Sequence, residues 1–182
     1  MPSIADSDAA PALAAMLGVP RVARFSTVAS TMDEAHRLAE AGAPAGTVVL
    51  ADEQTAGRGR TGRQWVSNAR DGLWMTLLER PASPSGLDVL SLRLGIRLAP
   101  VLETFSDTAV QVKWPNDLYV NGSRKLCGIL VEARWRAAQY DEAVFSDLAV
   151  DALRAAEPAL RVSADDVLTW LVDTHALPAQ ED

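Results

Sequence analysis

The sequence predicts an α+β domain, a mixed or antiparallel sheet with helices packed on it, and three observations point there. Apolar, β-prone runs cluster at residues 110–113, 118–120 and 126–135 with no helical segment between them. Stretches with helical periodicity lie before and after that cluster, so strands and helices do not alternate as they would in a parallel βαβ fold. At 182 residues, 48% of them hydrophobic, the chain is long enough for one well-filled core.

Residues 7–17 form an amphipathic stretch stopped by Gly18 and Pro20, and residues 21–25 follow as a short strand. The next helix is better marked: Ser30 or Thr31 caps it, Asp33 and Glu34 suit the positive end of its dipole, and Gly42 closes it. Residues 47–51 and 72–78 read as strands, which makes the glycine-rich segment between them a long connection of a kind that usually carries function. Pro81, Pro84 and Gly86 make a turn-rich bridge into residues 87–104, the long central helix, with Arg93 and Arg97 on one face. Asn121-Gly122 is the best hairpin turn in the chain. Residues 146–156 and 163–173 read as two helices, the second begun by Ser163 with Asp165 and Asp166. No repeat or linker divides the chain, so residues 1–182 read as one domain.

A net charge of -7 argues against nucleic-acid binding through the overall field, so any recognition of phosphate must be local. The lone Cys127 forms no internal disulfide, and Asp6 and Asp8 stand where a secretory signal would be basic and then apolar, which points to a reducing cytoplasm. The most apolar stretch, residues 90–102, is interrupted by Arg93 and Arg97 and is too short to span a bilayer.

The chemistry concentrates in three segments. Gly57-Arg58-Gly59-Arg60-Thr61-Gly62-Arg63 alternates residues that let a backbone come close with guanidinium groups that fork onto phosphate or carboxylate. Three arginines so near one another repel unless an anion sits among them. Gln54 before the loop and Trp65 after it anchor the segment, whereas a solvated basic loop ends in more polar residues. Lys113-Trp114-Pro115-Asn116-Asp117 puts a cation at a strand end and two polar side chains on a stiff turn, although such a turn also serves a plain structural purpose. Lys125 opens the strand Leu126-Cys127-Gly128-Ile129-Leu130-Val131-Glu132, in which Gly128 hints that a ligand or another backbone approaches closely. His36 and His175 lack neighbours at metal-ligand spacing and read as surface or structural residues, and Trp74, Trp135 and Trp170 read as core or partner-facing aromatics. The sequence offers no protein metal site.

In this order and spacing the segments resemble the biotin protein ligase family, over roughly residues 25–132. The resemblance implies a class II aminoacyl-tRNA synthetase-like biotin/lipoate ligase domain. Its members join biotin to ATP with Mg²⁺, hold biotinyl-5'-adenylate, and pass the biotinyl group to a lysine of a biotin carboxyl carrier domain. By position, Ser30, Thr31 and Gln54 fall where the family contacts biotin. Gly57, Arg58, Gly59, Arg60 and Trp65 belong to the loop that folds over biotin and the adenylate, and Lys125 falls at the active-site lysine, with Gly128 beside it. Lys113, Asn116 and Asp117 match the Lys-Trp-Pro-Asn-Asp run. Lys113 and Lys125 would then neutralise the biotin carboxylate and the α-phosphate, and Asn116 or Asp117 would orient them or help hold Mg²⁺. Such chemistry needs charge neutralisation and placement but no enzyme nucleophile, so Cys127 needs no catalytic role. A homodimer is compatible with the resemblance.

Two departures stand out. The family carries asparagine or a near equivalent after Ser-Thr, where this chain has Met32, and its return strand carries Gly-Ile-Asn, where residues 140–145 read Tyr-Asp-Glu-Ala-Val-Phe. Neither the appended β-barrel of many members nor an N-terminal DNA-binding helix pair is recognisable. The alternatives are a lipoate or octanoate ligase or transferase, a catalytically impaired biotin-binding module and, last, a basic-loop RNA binder.

Overall fold

The computed structural model describes residues 9–69, 71–80, 87–136 and 139–148. Along the chain these form α1 (Ala9–Met16), β1 (Arg21–Val28), α2 (Thr31–Glu40), β2 (Thr47–Gln54), β3 (Leu73–Glu79), α3 (Leu90–Glu103, after a 3-10 turn at Leu87–Val89), β4 (Val110–Lys113), β5 (Asp117–Val120), β6 (Arg124–Arg136) and β7 (Gln139–Leu148). One seven-stranded sheet runs in the order β1-β2-β3-β7-β6-β5-β4. Only the β1–β2 pair is parallel. The predicted α+β class and mixed sheet are therefore what the chain forms.

Period-two alternation divides the sheet's side chains between two apolar cores. Val48, Leu50, Leu73, Met75 and Leu77 point to the face covered by α1 and α3, where Leu17, Leu102, Leu118 and Ile129 also pack. Val49, Ala51, Trp74 and Leu78 point to the opposite face, under the Met32, Ala35 and Leu38 side of α2. With both faces covered, β2 and β3 read as nearly continuous apolar runs. Arg93 and Arg97 lie on the solvent side of α3, as their spacing predicts, while Gly95 lets that helix sit against Val112, Leu118 and Ile129.

Helix α2 is bounded as its sequence suggests. Ser30 is the N-cap, its hydroxyl accepting from Met32 N at 3.2 Å, and Thr31 is the first helical residue. At the other end Gly42 adopts φ +86° while Ala43 N donates to Leu38 O and Gly42 N to Ala39 O, the paired bonds of a Schellman motif. Arg80 Nη2 donates to Ala39 O and Ala43 O at 3.1 and 3.0 Å, tying that end to the end of β3. Asn121 and Gly122 both have positive φ, as a two-residue hairpin turn requires, and join β5 to β6.

The main correction falls on the end of the chain. Residues 146–148 close strand β7, which pairs with both β3 and β6, so the helix expected from residue 146 does not begin there. Its continuation, the helix expected over residues 163–173 and the bridge at 81–86 lie outside the described residues. The return strand is thus present although its sequence lacks the Gly-Ile-Asn run.

Candidate active site

The connection between β2 and β3 is a small antiparallel hairpin, not an irregular loop. Trp65 N donates to Gly57 O at 2.8 Å, Gly59 N donates to Arg63 O at 2.7 Å, and Arg58 bridges Gln64 between them. At the tip Thr61 and Gly62 have φ of 58° and 74°, the left-handed pair that suits a tight turn. Gly57 is glycine because an added Cβ would lie 2.6 Å from Trp65 O and 2.7 Å from Ser67 Oγ. The close approach is made by the hairpin's own second strand.

The hairpin closes one side of a cleft of about 510 Å³. The cleft is lined by Arg58, Gly59, Arg60, Thr61, Arg63, Gln64 and Trp65, by residues 113–117 and Tyr119 of the β4–β5 hairpin, and by Lys125, Gly128, Ile129 and Leu130 of β6. Five of these residues are basic and only Asp117 is acidic, which gives the locally positive surface that an acidic chain needs to hold a phosphate.

Lys125 is the most constrained of the cations. Its Nζ lies 2.7 Å from Asp117 Oδ1, an ion pair without hydrogen-bond alignment, and 4.6 Å from the centre of the Trp65 ring. A Cβ on Gly128 would meet Lys125 Nζ at 3.1 Å and the Trp65 ring at 3.4 Å, so the gap in β6 is filled by the lysine and the indole. Lys113 is exposed; its ammonium lies 4.4 Å from the centre of the Tyr119 ring and donates to the Tyr119 hydroxyl at 3.2 Å. Asn116 is locked to β6 by Ile129 N donating to its carbonyl at 2.8 Å and by its Nδ2 donating to Ile129 O at 3.1 Å. Its Oδ1 accepts from Arg60 Nη1 at 3.3 Å across the cleft mouth. Trp65 Nε1 is buried without a partner, a cost that an acceptor on a bound ligand would remove.

Ser30, Thr31 and Gln54 do not line this cleft. All three are buried behind the hairpin, Ser30 as the α2 cap and the other two in one hydrogen-bonded string: Thr31 N and Oγ1 donate to Gln54 Oε1 at 2.8 and 3.0 Å, Gln54 Nε2 donates to Ser67 Oγ at 2.9 Å, and Thr76 Oγ1 donates to Thr31 Oγ1 at 3.0 Å. Met32, next in sequence, turns into the α2 core at 1% exposure and lies apart from this string.

Within the arginine loop, Arg58 is neutralised by the protein's own carboxylates. Arg58 Nε and Nη2 donate to the two oxygens of Glu132 at 2.9 and 3.1 Å, and Nη2 also pairs with Asp33 at 2.9 Å. Glu132 Oε2 is shared with His36 Nε2 at 3.1 Å; because a carboxylate only accepts, that nitrogen carries the proton. His36 is therefore a buried structural histidine with a carboxylate partner. Burial is the main cause that lowers its pKa from 6.5. Glu132 is held below the usual 4.5, first by the Arg58 hydrogen bonds.

Both shifts have the same sign of effect on stability. Below pH 6.5 the unfolded chain protonates its histidine before the folded chain protonates His36, so stability falls with pH; a second loss follows below pH 4.5 as Glu132 is protonated. Glu79, raised by burial, acts in the opposite direction as its carboxyl ionises. His36→Leu is expected to flatten the first slope in urea-midpoint measurements between pH 7 and the histidine's lowered pKa, and an unaltered slope would assign it to another group.

Among the described residues no three His, Cys, Asp or Glu side chains converge into a metal cage. The cleft's donors are the Asp117 carboxylate beside the Asn116 amide. That set fits a magnesium ion brought in by nucleotide phosphates with most of its waters, and does not fit a resident metal. Also among the described residues, no helix is long and apolar enough to cross a membrane.

Comparison with known proteins decides the kinship. The family model described as the biotin/lipoate A/B protein ligase family matches residues 24–145. The chain belongs to this family. It is 42% identical over 106 residues to the bifunctional ligase/repressor BirA of Bacillus spizizenii, an alignment that covers 58% of this chain and 32% of that protein. The chain thus spans about a third of the length of that curated relative. Among solved structures, it superposes on the Aquifex aeolicus biotin protein ligase in complex with biotin and ATP with a TM-score of 0.68 and 27% identity, covering 84% of this chain and 67% of the other. The Leishmania major biotin protein ligase in complex with biotinyl-5-AMP gives the same TM-score and identity, over 86% and 73% of the two chains. The class II synthetase-like ligase fold expected from the sequence is the fold of this chain.

Of the residues singled out from sequence, the structure brings Arg58, Gly59, Arg60, Trp65, Lys113, Asn116, Asp117, Lys125 and Gly128 to one cleft and sets Ser30, Thr31, Gln54 and Gly57 behind it. Sequence reasoning missed Tyr119 under Lys113, and Asp33, His36 and Glu132 around Arg58. Glu132, a charge directly after the apolar run 126–131, was a signal available for the last group.

Proposed function

We propose that the protein is an ATP-dependent ligase that activates biotin as biotinyl-5'-AMP and transfers it to a lysine of a biotin carboxyl carrier domain. The observation that carries this reading is the positive cleft itself: Lys113 and Lys125 on the sheet face Arg60 on the hairpin, around a space of about 510 Å³. In the first step an oxygen of the biotin carboxylate attacks the α-phosphorus, and the bond to the β-phosphate oxygen breaks as pyrophosphate leaves. In the second the carrier amine attacks the acyl carbon, loses a proton, and AMP leaves. Lys125 and Lys113 would neutralise charge at the α-phosphate and the carboxylate, and Arg60 would close over the adenylate. Mg²⁺, held by ATP and by Asn116 or Asp117, would supply charge neutralisation on the departing pyrophosphate.

Thr31 and Gln54 would meet the ureido ring of biotin by exchanging their mutual hydrogen bonds for bonds to its N–H and C=O groups, and Ser30 by exchanging its capping bond from Met32 N, with Gly57 at the turn beside them. The described residues form one sheet with its helices, which supports a single catalytic domain. The lone cysteine supports a cytoplasmic setting, and the charge of -7 supports a protein partner over nucleic acid, with a homodimer compatible. The reading is tested by incubating the protein with biotin, Mg²⁺ and α-labelled ATP, with and without a carrier domain. Labelled biotinyl-adenylate is expected. Biotin binding without adenylate would favour an impaired binding module, and activation of octanoate instead of biotin would favour the lipoate branch of the family.

Arg60→Ala should release the adenylate roughly tenfold faster, the worth of one charge-assisted hydrogen bond. Labelling of bystander proteins is the readout, and retention equal to the parent would take Arg60 out of the closing role.

A further inference from the structure

The Arg58 side chain lines the cleft, yet its guanidinium is already engaged by the protein's own carboxylates. The Nε–Nη2 edge of its guanidinium is used: Nε and Nη2 fork onto Glu132 at 2.9 and 3.1 Å, and Nη2 also reaches Asp33 at 2.9 Å. Glu132 is itself gripped from behind by His36, which is 3% exposed. The group joins three parts of the fold, namely the hairpin, the first turn of α2 and strand β6. Arg60, two residues on, is exposed and reaches Asn116 at 3.3 Å.

We infer that Glu132 is a positioning residue that acts through Arg58, clamping the first strand of the arginine hairpin to the sheet so that ligand closure is confined to the tip at Arg60–Gly62. The inference deepens the ligase reading and rests on it only for what the tip closes upon. The two arginines of the Gly-Arg-Gly-Arg run then have separate tasks. Arg58 fixes the stem in register with Gly57 and Trp65, and Arg60 answers the ligand. A fork onto a carboxylate suits the first task because two parallel bonds fix direction as well as distance, which a lysine's point charge does not. Asp33, half exposed on the first turn of α2, adds a weaker second tether.

The clamp is tested without reliance on activity by trypsin, which cuts after the exposed Arg60 and Arg63. A protease binds several extended residues on each side of the cut, so cleavage in this short tip requires the stem strands beside it to open, and its rate reads that opening. Glu132→Gln keeps the size of the side chain and loses its charge, and Arg58→Lys keeps the charge and loses the fork. Both are expected to speed tip cleavage roughly tenfold, the weight of one charge-assisted bond, with smaller changes in the global unfolding midpoint. Asp33→Asn, at the exposed tether, should fall between them and the parent, and serves if Glu132→Gln fails to fold.

Adenylate release is measured on the same proteins. Under the clamp, Glu132→Gln releases the adenylate faster while its rate of formation at saturating biotin and ATP changes less. Tip cleavage at the parent rate in Glu132→Gln and Arg58→Lys overturns the clamp even if adenylate is made. Faster cleavage in the two variants, with no adenylate made by the parent itself, upholds the clamp and overturns the ligase reading.

Discussion

Replacing Lys125 with alanine is expected to slow adenylate formation by about 10²–10³-fold, the cost typical of removing one preorganised donor from a charge-developing transition state. The expectation comes from how the side chain is held. Asp117 at 2.7 Å, the Trp65 ring at 4.6 Å and the missing Cβ of Gly128 fix the ammonium from three sides, so it meets developing charge without reorganising. Alanine also leaves the Asp117 carboxylate without its counter-ion, which turns part of a cation site toward repelling phosphate. Lys125→Arg should rescue poorly, because the ammonium already fills the slot above Gly128, 3.1 Å from where a Cβ would stand, and the planar guanidinium is wider. Single-turnover measurement of labelled adenylate checks this. A rate for Lys125→Ala within threefold of the parent would place the α-phosphate elsewhere in the cleft.

What could be read from sequence and what could not divides along the range of the interactions. Ser30, Gly42 and Asn121-Gly122 act within a turn of the chain, and each does what its residue type suggests. The α2 helix and strands β1 to β6 followed because their apolar periodicity is local. The clamp around Arg58 was invisible because its partners lie far apart: Glu132 is 74 residues from Arg58 and 96 from His36. Residues 57–65 read as loop since their cross-strand bonds come from backbone and glycine, with no alternation of side chains. Residues 146–148 read as helix since their local spacing suits one, and pairing with β3 and β6 on both sides overrides it. Gly128 was read as a point where a ligand or another backbone comes close, whereas the atoms nearest its missing Cβ are side-chain atoms of Lys125 and Trp65.

The hairpin's glycines give the other large expectation, because two substitutions of the same kind in one loop should differ sharply. At Gly57 a methyl group would sit 2.6 Å from Trp65 O and 2.7 Å from Ser67 Oγ, with Gln54 Nε2 at 3.3 Å. The first is backbone held in the rung that Trp65 N makes to Gly57 O, and the second is the acceptor for Gln54, so neither yields without breaking a hydrogen bond. Gly57→Ala should therefore destabilise the fold by about 1–3 kcal/mol, as overpacking does. It should also weaken biotin binding, since Gln54 and Thr31 share the disturbed string. At Gly59 the nearest atom to an added Cβ is Arg63 O at 3.7 Å, an ordinary contact, and φ is -110°, open to any residue. Gly59→Ala should thus leave the unfolding midpoint and biotin affinity near those of the parent, losing only what a ligand pressed against that position would lose. Thermal unfolding with calorimetric titration of biotin on both variants separates the cases. Equal losses at the two positions would mean that the hairpin's shape in solution is not set by the contact between Gly57 and Trp65.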